Sequence, residues 1–331
     1  MKVGSRLVVQ DVELNIVTGA FSYTGKYIAQ RLLSMGKKVI TLTNRVDREN
    51  ALGHQVKAFP FNFDKPRELT DSLRGAKTLY NTYWVRFPHG QVSFDKAVEN
   101  SNTLITAAEE AGIRRIVHIS ITNPSEDSPF PYFRGKALVE RAIINSKLSY
   151  AIVRPTVIFG TEGVLINNIA WLLRRFPIFA IFGSGDYRIQ PVFVEDVAEI
   201  AVIAGHKDDN VVIDAVGPET YTFDELVRLI ASKAHSGARL VHVRPGLALF
   251  LARLIGCAVR DIVITKDEIE GLMSNLLVSA RHPIAQTHFG QWLDENADKV
   301  GARYISGLER RYHSGASQGA VRDEGGHNVR D

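Results

Sequence analysis

Short apolar runs recur along the first two thirds of the chain, each followed by a stretch with helical spacing. Residues 14–17 (LNIV) suit a buried strand. Residues 26–35 then carry Tyr27, Ile28, Leu32 and Leu33 on one helical face, and Gly36 stops the pattern. Residues 39–42 are a second β-rich run, so the three pieces make a βαβ unit with a right-handed crossover. The alternation continues, with strands expected at 55–61, 78–83, 114–120, 149–158 and 210–215. Helices are expected at 66–73, at 94–111, from Pro131 onward, and from Glu195-Asp196 onward. Strands alternating with helices predict an α/β fold built on a doubly wound parallel sheet.

Beyond the sixth strand the pattern changes. Residues 163–182 are apolar around Arg174-Arg175 and predict a helix, then an extended piece after Pro177. A turn follows at 183–186. Thr222 and Glu225 occupy capping-box positions for another helix, residues 240–243 are strand-like, and 245–258 and 266–277 read as helical. These pieces divide the chain. Residues 1–160 and 191–216 form a dinucleotide-binding domain, and 161–190 with 217–313 form a small C-terminal substrate lobe. The Gly-, Ser- and charge-rich residues 314–331 form a disordered tail. Trp171, Phe176, Phe179 and Phe182 read mostly as core of the small lobe. Any that line a pocket favour a hydrophobic substrate.

Composition excludes several classes. Of 331 residues, 45% are hydrophobic and 23% charged, ordinary for a globular protein. Forty basic residues against 36 acidic ones give a net charge of +4, and no dense basic run argues for nucleic acid. Cys257 is the only cysteine, so no intrachain disulfide forms. The histidines lack metal-ligand spacing, so no metal site is expected. Residues 1–13 carry charges and no apolar core, which predicts no signal peptide and a cytoplasmic location. The most apolar stretch, 247–259, is too short to span a membrane and is interrupted by Arg253. It reads as a buried or packing helix, with contact at a membrane surface as the alternative.

Candidate chemistry sits at two places. The first is the turn Thr18-Gly19-x-x-Ser22-x-x-Gly25 between strand and helix. Free N–H groups and the helix dipole at such a turn face an anion, most often a pyrophosphate. The alternative is an ordinary βα turn that binds nothing. The second begins at Ser120, ending the fifth strand, with Thr122 two residues on. Tyr132 and Lys136 follow at i and i+4, sharing one face of the next helix. No other Tyr-x-x-x-Lys occurs, although there are ten tyrosines. The alternative is a packed tyrosine beside a solvated lysine. Gly135 inside that helix costs about 1 kcal/mol against alanine with no reason visible in the sequence.

Together these motifs resemble the short-chain dehydrogenase/reductases, in their extended and atypical branches, whose fingerprint is TGxxGxxG. Ser22 stands where the family has its middle glycine, and a left-handed backbone there would be strained. Arg154-Pro155, Gln190-Pro191 and Asp196-Val197-Ala198 extend the resemblance to the nucleotide-binding accessory subunits of respiratory complex I and their bacterial cousins, over about residues 13–310.

The resemblance implies a Rossmann fold that binds NADP or NAD through Gly19, Ser22, Tyr23, Thr24, Gly25, Asn44, Arg45, Phe63, Asp64, Asn81, Lys136 and Pro155. No carboxylate follows the second strand until Asp47, and Arg45 could meet a 2′-phosphate, so NADP is favoured. Arg45 as a solvated loop charge is the alternative. Asp64 would bond adenine, cap the helix at Pro66, or do both. Tyr132 would be the general acid/base, its pKa lowered by the Lys136 ammonium. Ser120, or Thr122 in its place, would bond the substrate oxygen. The leading expectation is an oxidoreductase moving hydride to or from a carbonyl or alcohol of a small apolar molecule. A non-catalytic nucleotide-binding accessory or assembly protein is the first alternative. A nucleotide-sugar epimerase or dehydratase is the second, weakened because Val157 and Phe159 replace that group's Asn and Tyr. A homodimer follows by analogy only.

Overall fold

A computed structural model describes residues 13–44, 46 and 52–311. The expectations for Arg45, for the lead-in before residue 13 and for the 314–331 tail fall outside the described residues.

The chain opens with β1 (Leu14–Thr18), α1 (Tyr23–Ser34), β2 (Lys38–Leu42), β3 (Val56–Phe59), α2 (Pro66–Leu73) and β4 (Thr78–Asn81). It continues with α3 (Phe94–Glu110), β5 (Arg115–Ile119), α4 (Pro131–Ile144) and β6 (Ser149–Pro155). Then come β7 (Val157–Phe159), α5 (Val164–Arg175), β8 (Ile178–Phe182), β9 (Arg188–Ile189), β10 (Pro191–Phe193), α6 (Val194–Gly205) and β11 (Val211–Ala215). The remainder is β12 (Tyr221–Thr222), α7 (Phe223–Lys233), β13 (Arg239–Val243), α8 (Pro245–Val259), α9 (Lys266–Met273), α10 (Phe289–Asn296) and α11 (Gly307–Arg311).

Seven strands make the central sheet in the order β11-β6-β5-β4-β1-β2-β3, and every pairing is parallel. Neighbouring residues feed opposite faces, as the two-residue period of a strand requires. Ile16, Ile116 and Ile152 enter the core under α2, α3 and α4, while Val17, Val117 and Val153 enter the core under α1 and α6. The fold is therefore the doubly wound Rossmann type. Chain order reverses between β1 and β4, and ligands of such sheets sit at the carboxyl ends of the strands there.

Another core gathers residues from Val157 to Val300, among them Phe159, Ile169, Ile181, Phe223 and Trp292. Its strands pair outside the central sheet: β7 with β10, β8 with β13, and β9 with β12.

Three expected boundaries move. The helix expected from residue 26 begins at Tyr23, because apolar spacing marks only its buried part. The strand expected over 149–158 breaks at Thr156. There Pro155 supplies no amide to continue the ladder, and the Thr156 hydroxyl donates to the Gln190 carbonyl. The helix expected over 266–277 stops at Met273. The stretch 247–259, read as a buried or packing helix, buries only one side: Ala248 and Gly256 are enclosed.

Candidate active site

A cavity of about 650 Å³ opens where the two cores meet, above the carboxyl ends of β1, β4, β5 and β6. At one end is the glycine turn. Gly19 has φ +65 and its amide donates to the Leu42 carbonyl at 2.8 Å. A Cβ on Gly25 would lie 2.3 Å from the Gly19 carbonyl oxygen, so only glycine lets α1 start this close to the turn. Ser22 has φ −107, an extended backbone that any residue adopts, and the strain expected there does not arise. Its hydroxyl donates to the Gly19 carbonyl at 2.6 Å, closing the turn. No side chain caps α1, and Gly19, Ser22, Tyr23 and Thr24 line the cavity. The dipole end of a helix thus faces an open space, which suits a phosphate. Gly25 lies behind this wall as a packing residue.

The next part of the wall is aromatic. Phe61 and Phe63 stack at 4.9 Å, and Tyr83 tilts against both at 5.1 and 5.0 Å. Asn100 donates to the Tyr83 hydroxyl at 2.8 Å. Asn44 also lines the cavity. Asp64 does not: it is exposed, and α2 begins from Lys65 with no side-chain cap, so Asp64 does not cap that helix.

Asn81 is placed differently from its expected cofactor role. It is fully buried, and its side chain ties three strand ends together. Its Oδ1 accepts from the Thr18 hydroxyl at 3.2 Å and from the Tyr83 amide at 3.0 Å. That assignment turns its amide toward His118 Nδ1, 3.1 Å away. The Thr18 hydroxyl in turn accepts from the Thr82 amide at 2.7 Å. His118 is held well below its usual pKa by complete burial and by the nearby Lys136 charge, so it stays neutral.

Tyr132, Lys136, Ser120 and Pro155 all line the cavity, so the structure does bring the expected Ser, Tyr and Lys together. Ser120 and Lys136 are each engaged by other groups of the fold. The Lys136 ammonium is buried, donates to the Ile119 carbonyl at 2.7 Å and lies 4.8 Å over the Trp84 ring. Ser120 donates at 2.5 Å to the buried carboxylate of Glu140, which also holds Arg154 through Nε at 3.0 and 3.2 Å. Thr122 does not stand in for it. Its hydroxyl donates to the Leu276 carbonyl at 3.2 Å, and its side chain is buried away from the cavity. Tyr132 sits edge-on to Trp84 at 6.0 Å and Phe94 at 5.8 Å.

Gly135 now has a reason. A Cβ there would lie 2.8 Å from Trp84 Cη2, so the glycine lets the indole pack closely against α4.

The far end of the cavity is apolar. Trp84, Phe87, Phe94, Phe130 and Phe133 line it, and Ile264, Leu272 and Leu277 close it from the other core. Of the four aromatics read mostly as core of the small lobe, none lines this cavity: Phe179 and Phe182 are buried, Phe176 is exposed, and Trp171 packs on Tyr304 at 5.2 Å. Arg86 also lines the cavity and donates to Glu268 at 2.6 Å and to the Val263 carbonyl at 3.2 Å. Burial opposes its charge, but Glu268 and Asp261 outweigh that and raise its pKa.

Sequence reasoning missed Glu140 and Arg154 as its partner. Glu140 was open to detection, since it follows Lys136 by one more helical turn.

Comparisons with known proteins agree with the geometry. Residues 15–216 match the "NAD dependent epimerase/dehydratase family". A mitochondrial "NADH dehydrogenase [ubiquinone] 1 alpha subcomplex subunit 9" from Arabidopsis thaliana is 27% identical, over 80% of this chain and 70% of its own. The mitochondrial "NADH-ubiquinone oxidoreductase 40 kDa subunit" of Neurospora crassa is 26% identical, over 77% and 69%. Among solved structures, the Citrobacter triphenylmethane reductase complexed with NADP(H) superposes with a TM-score of 0.62 at 18% identity, over 81% of this chain and 97% of that one. A UDP-glucose 4-epimerase from Thermotoga maritima gives 0.57 at 18%, over 70% and 85%. At that identity the structural likeness shows the fold alone. The relatives correct one expectation: a cytoplasmic location, drawn from the N-terminal residues, does not stand against relatives that are mitochondrial.

Proposed function

We propose, from the premise that this chain belongs to the NAD dependent epimerase/dehydratase family, that it is a dinucleotide-binding accessory or assembly protein rather than a turnover enzyme. The observation that carries this reading is the engagement of the polar groups. The Ser120 hydroxyl is donated to the Glu140 carboxylate, and one of the three Lys136 N–H groups to the Ile119 carbonyl. A serine that donates to a carboxylate has no proton left for a substrate oxygen. The glycine turn, by contrast, fits a pyrophosphate: Gly19, Ser22, Tyr23 and Thr24 would hold it, with Asn44, Phe63 and Pro155 along the rest of the cofactor. The relatives named as subunits of NADH-ubiquinone oxidoreductase favour protein neighbours as partners.

A second reading rests on the aromatic cavity. When bound, a nicotinamide supplies hydride, and Tyr132 lines the same space as Trp84 and Phe94. In that reading Tyr132 gives the proton, the apolar walls exclude water, and residues 161–190 and 217–313 act as the lobe that closes over a hydrophobic substrate. The fold neighbour named triphenylmethane reductase suits it. A nucleotide-sugar substrate fits least, because the far wall is aromatic and Arg86 is already paired.

Turnover separates the readings. Protein loaded with NADPH or NADH is mixed with aldehydes, ketones and quinones while absorbance at 340 nm is followed, for wild type and Tyr132→Phe. The accessory reading predicts no decay in either protein and the same nucleotide affinity in both. Decay in wild type that Tyr132→Phe abolishes would establish the hydride-transfer reading instead.

A further inference from the structure

Among the described residues, α8 is the most apolar α-helix and the least buried. Its inner side packs Ala248 and Leu249 on the core formed by residues 157–300. Its end is fixed by Asp261, which accepts from the Tyr304 hydroxyl and the Gly307 and Leu308 amides at 2.8, 2.8 and 2.9 Å. The opposite side is open. Leu247, Phe250, Leu251 and Leu254 are 49, 55, 37 and 53% exposed. Their spacing is i, i+3, i+4 and i+7, so they form one stripe along a rigid helix.

The chain segment that carries this stripe has charges of one sign. Between residues 239 and 260 the chain has Arg239, His242, Arg244, Arg253 and Arg260 and no acidic residue. His242 is engaged by Asp224 at 3.1 Å. Arg244, Arg253 and Arg260 are exposed and form no ion pair with the described residues. Arg244 and Arg260 flank the two ends of the helix, and Arg253 borders the stripe.

We propose that α8 docks on an anionic membrane surface, lying in its plane with Leu247, Phe250, Leu251 and Leu254 in the acyl boundary and the arginines among the headgroups. An apolar stripe framed by cations is what an interfacial helix requires. Among the described residues no helix is long and apolar enough to cross a membrane, and 15 residues span only part of its core. A second copy of this chain is the poorer occupant. A two-fold pairing of this stripe on itself would bring the arginines of both copies together.

Cys257, exposed on this helix and the only cysteine of the chain, allows a local test. The full chain is labelled there with an environment-sensitive fluorophore and mixed with vesicles of phosphatidylcholine alone or with phosphatidylglycerol. Co-sedimentation of unlabelled protein is measured in parallel. A blue shift and co-sedimentation with the anionic vesicles only, both weakened by salt, are expected. Phe250→Asp with Leu254→Asp lowers binding by about tenfold or more. Arg244→Gln with Arg253→Gln, whose side chains are exposed, lowers it severalfold with unfolding temperature unchanged. No response to either vesicle, or equal response to both, overturns the proposal. So does a blue shift without vesicles that tracks a doubling of mass by sedimentation, which assigns the stripe to a second copy.

Discussion

Ser120 ends the strand where a substrate-bonding hydroxyl is expected, yet it donates to Glu140, which also holds Arg154. A carboxylate this buried is tolerated because its partners meet it. Removing it leaves Arg154, only a quarter exposed, without its counter-ion. Glu140→Ala is therefore expected to lower unfolding free energy by about 3 kcal/mol, with part recovered in the double variant with Arg154→Met. Urea titration checks this, and no loss would show that the pair is a surface-like contact. His118 gives a pH signature. Its folded pKa lies below the ordinary value, so between that depressed pKa and about 6.5 the unfolded chain binds more protons. Its contribution is complete above about pH 6.5 and is lost as pH falls below it, at up to about 1.4 kcal/mol per pH unit. His118→Gln should flatten this slope in urea midpoints taken between about pH 7.5 and about pH 5.5. An unchanged slope would mean that His118 takes up its proton in the fold.

At the scale of elements, the turn into α1 and the middle of α4 each depend on a missing side chain. Gly135→Ala should raise helix propensity by about 1 kcal/mol but drive a methyl into Trp84. The expected outcome is a lower unfolding temperature with a change in tryptophan emission. A higher temperature would show that the indole moves freely aside. Strands and helices were legible in the sequence because the core patterns them, as with Ile16 and Val17 facing opposite cores. Partners distant in the chain were not. The Asn81–Thr18–His118 tie, the Thr122 bond to Leu276 and the Trp84 packing on Gly135 link residues between 37 and 154 apart, which no local pattern reveals. Tyr132 and Lys136 could be read because their i, i+4 spacing is local. Their surroundings could not, and those surroundings decide the chemistry.

For the whole molecule, a parallel sheet with its crossover beside β1 puts the turn, the aromatic wall and Tyr132 on one cavity. The composition of that cavity is polar at the glycine turn and apolar at Phe94 and Phe130, which leaves room for an anion at one end and an apolar group at the other. The central claim is that this chain binds a dinucleotide there. Calorimetric titration of NADPH and NADH into wild type and Gly25→Val tests it most directly. The account predicts binding of at least one of the two in the micromolar range or tighter. It also predicts loss of binding when a side chain is forced against the Gly19 carbonyl. Wild type that binds neither nucleotide, or Gly25→Val that is folded and binds as well, would contradict it.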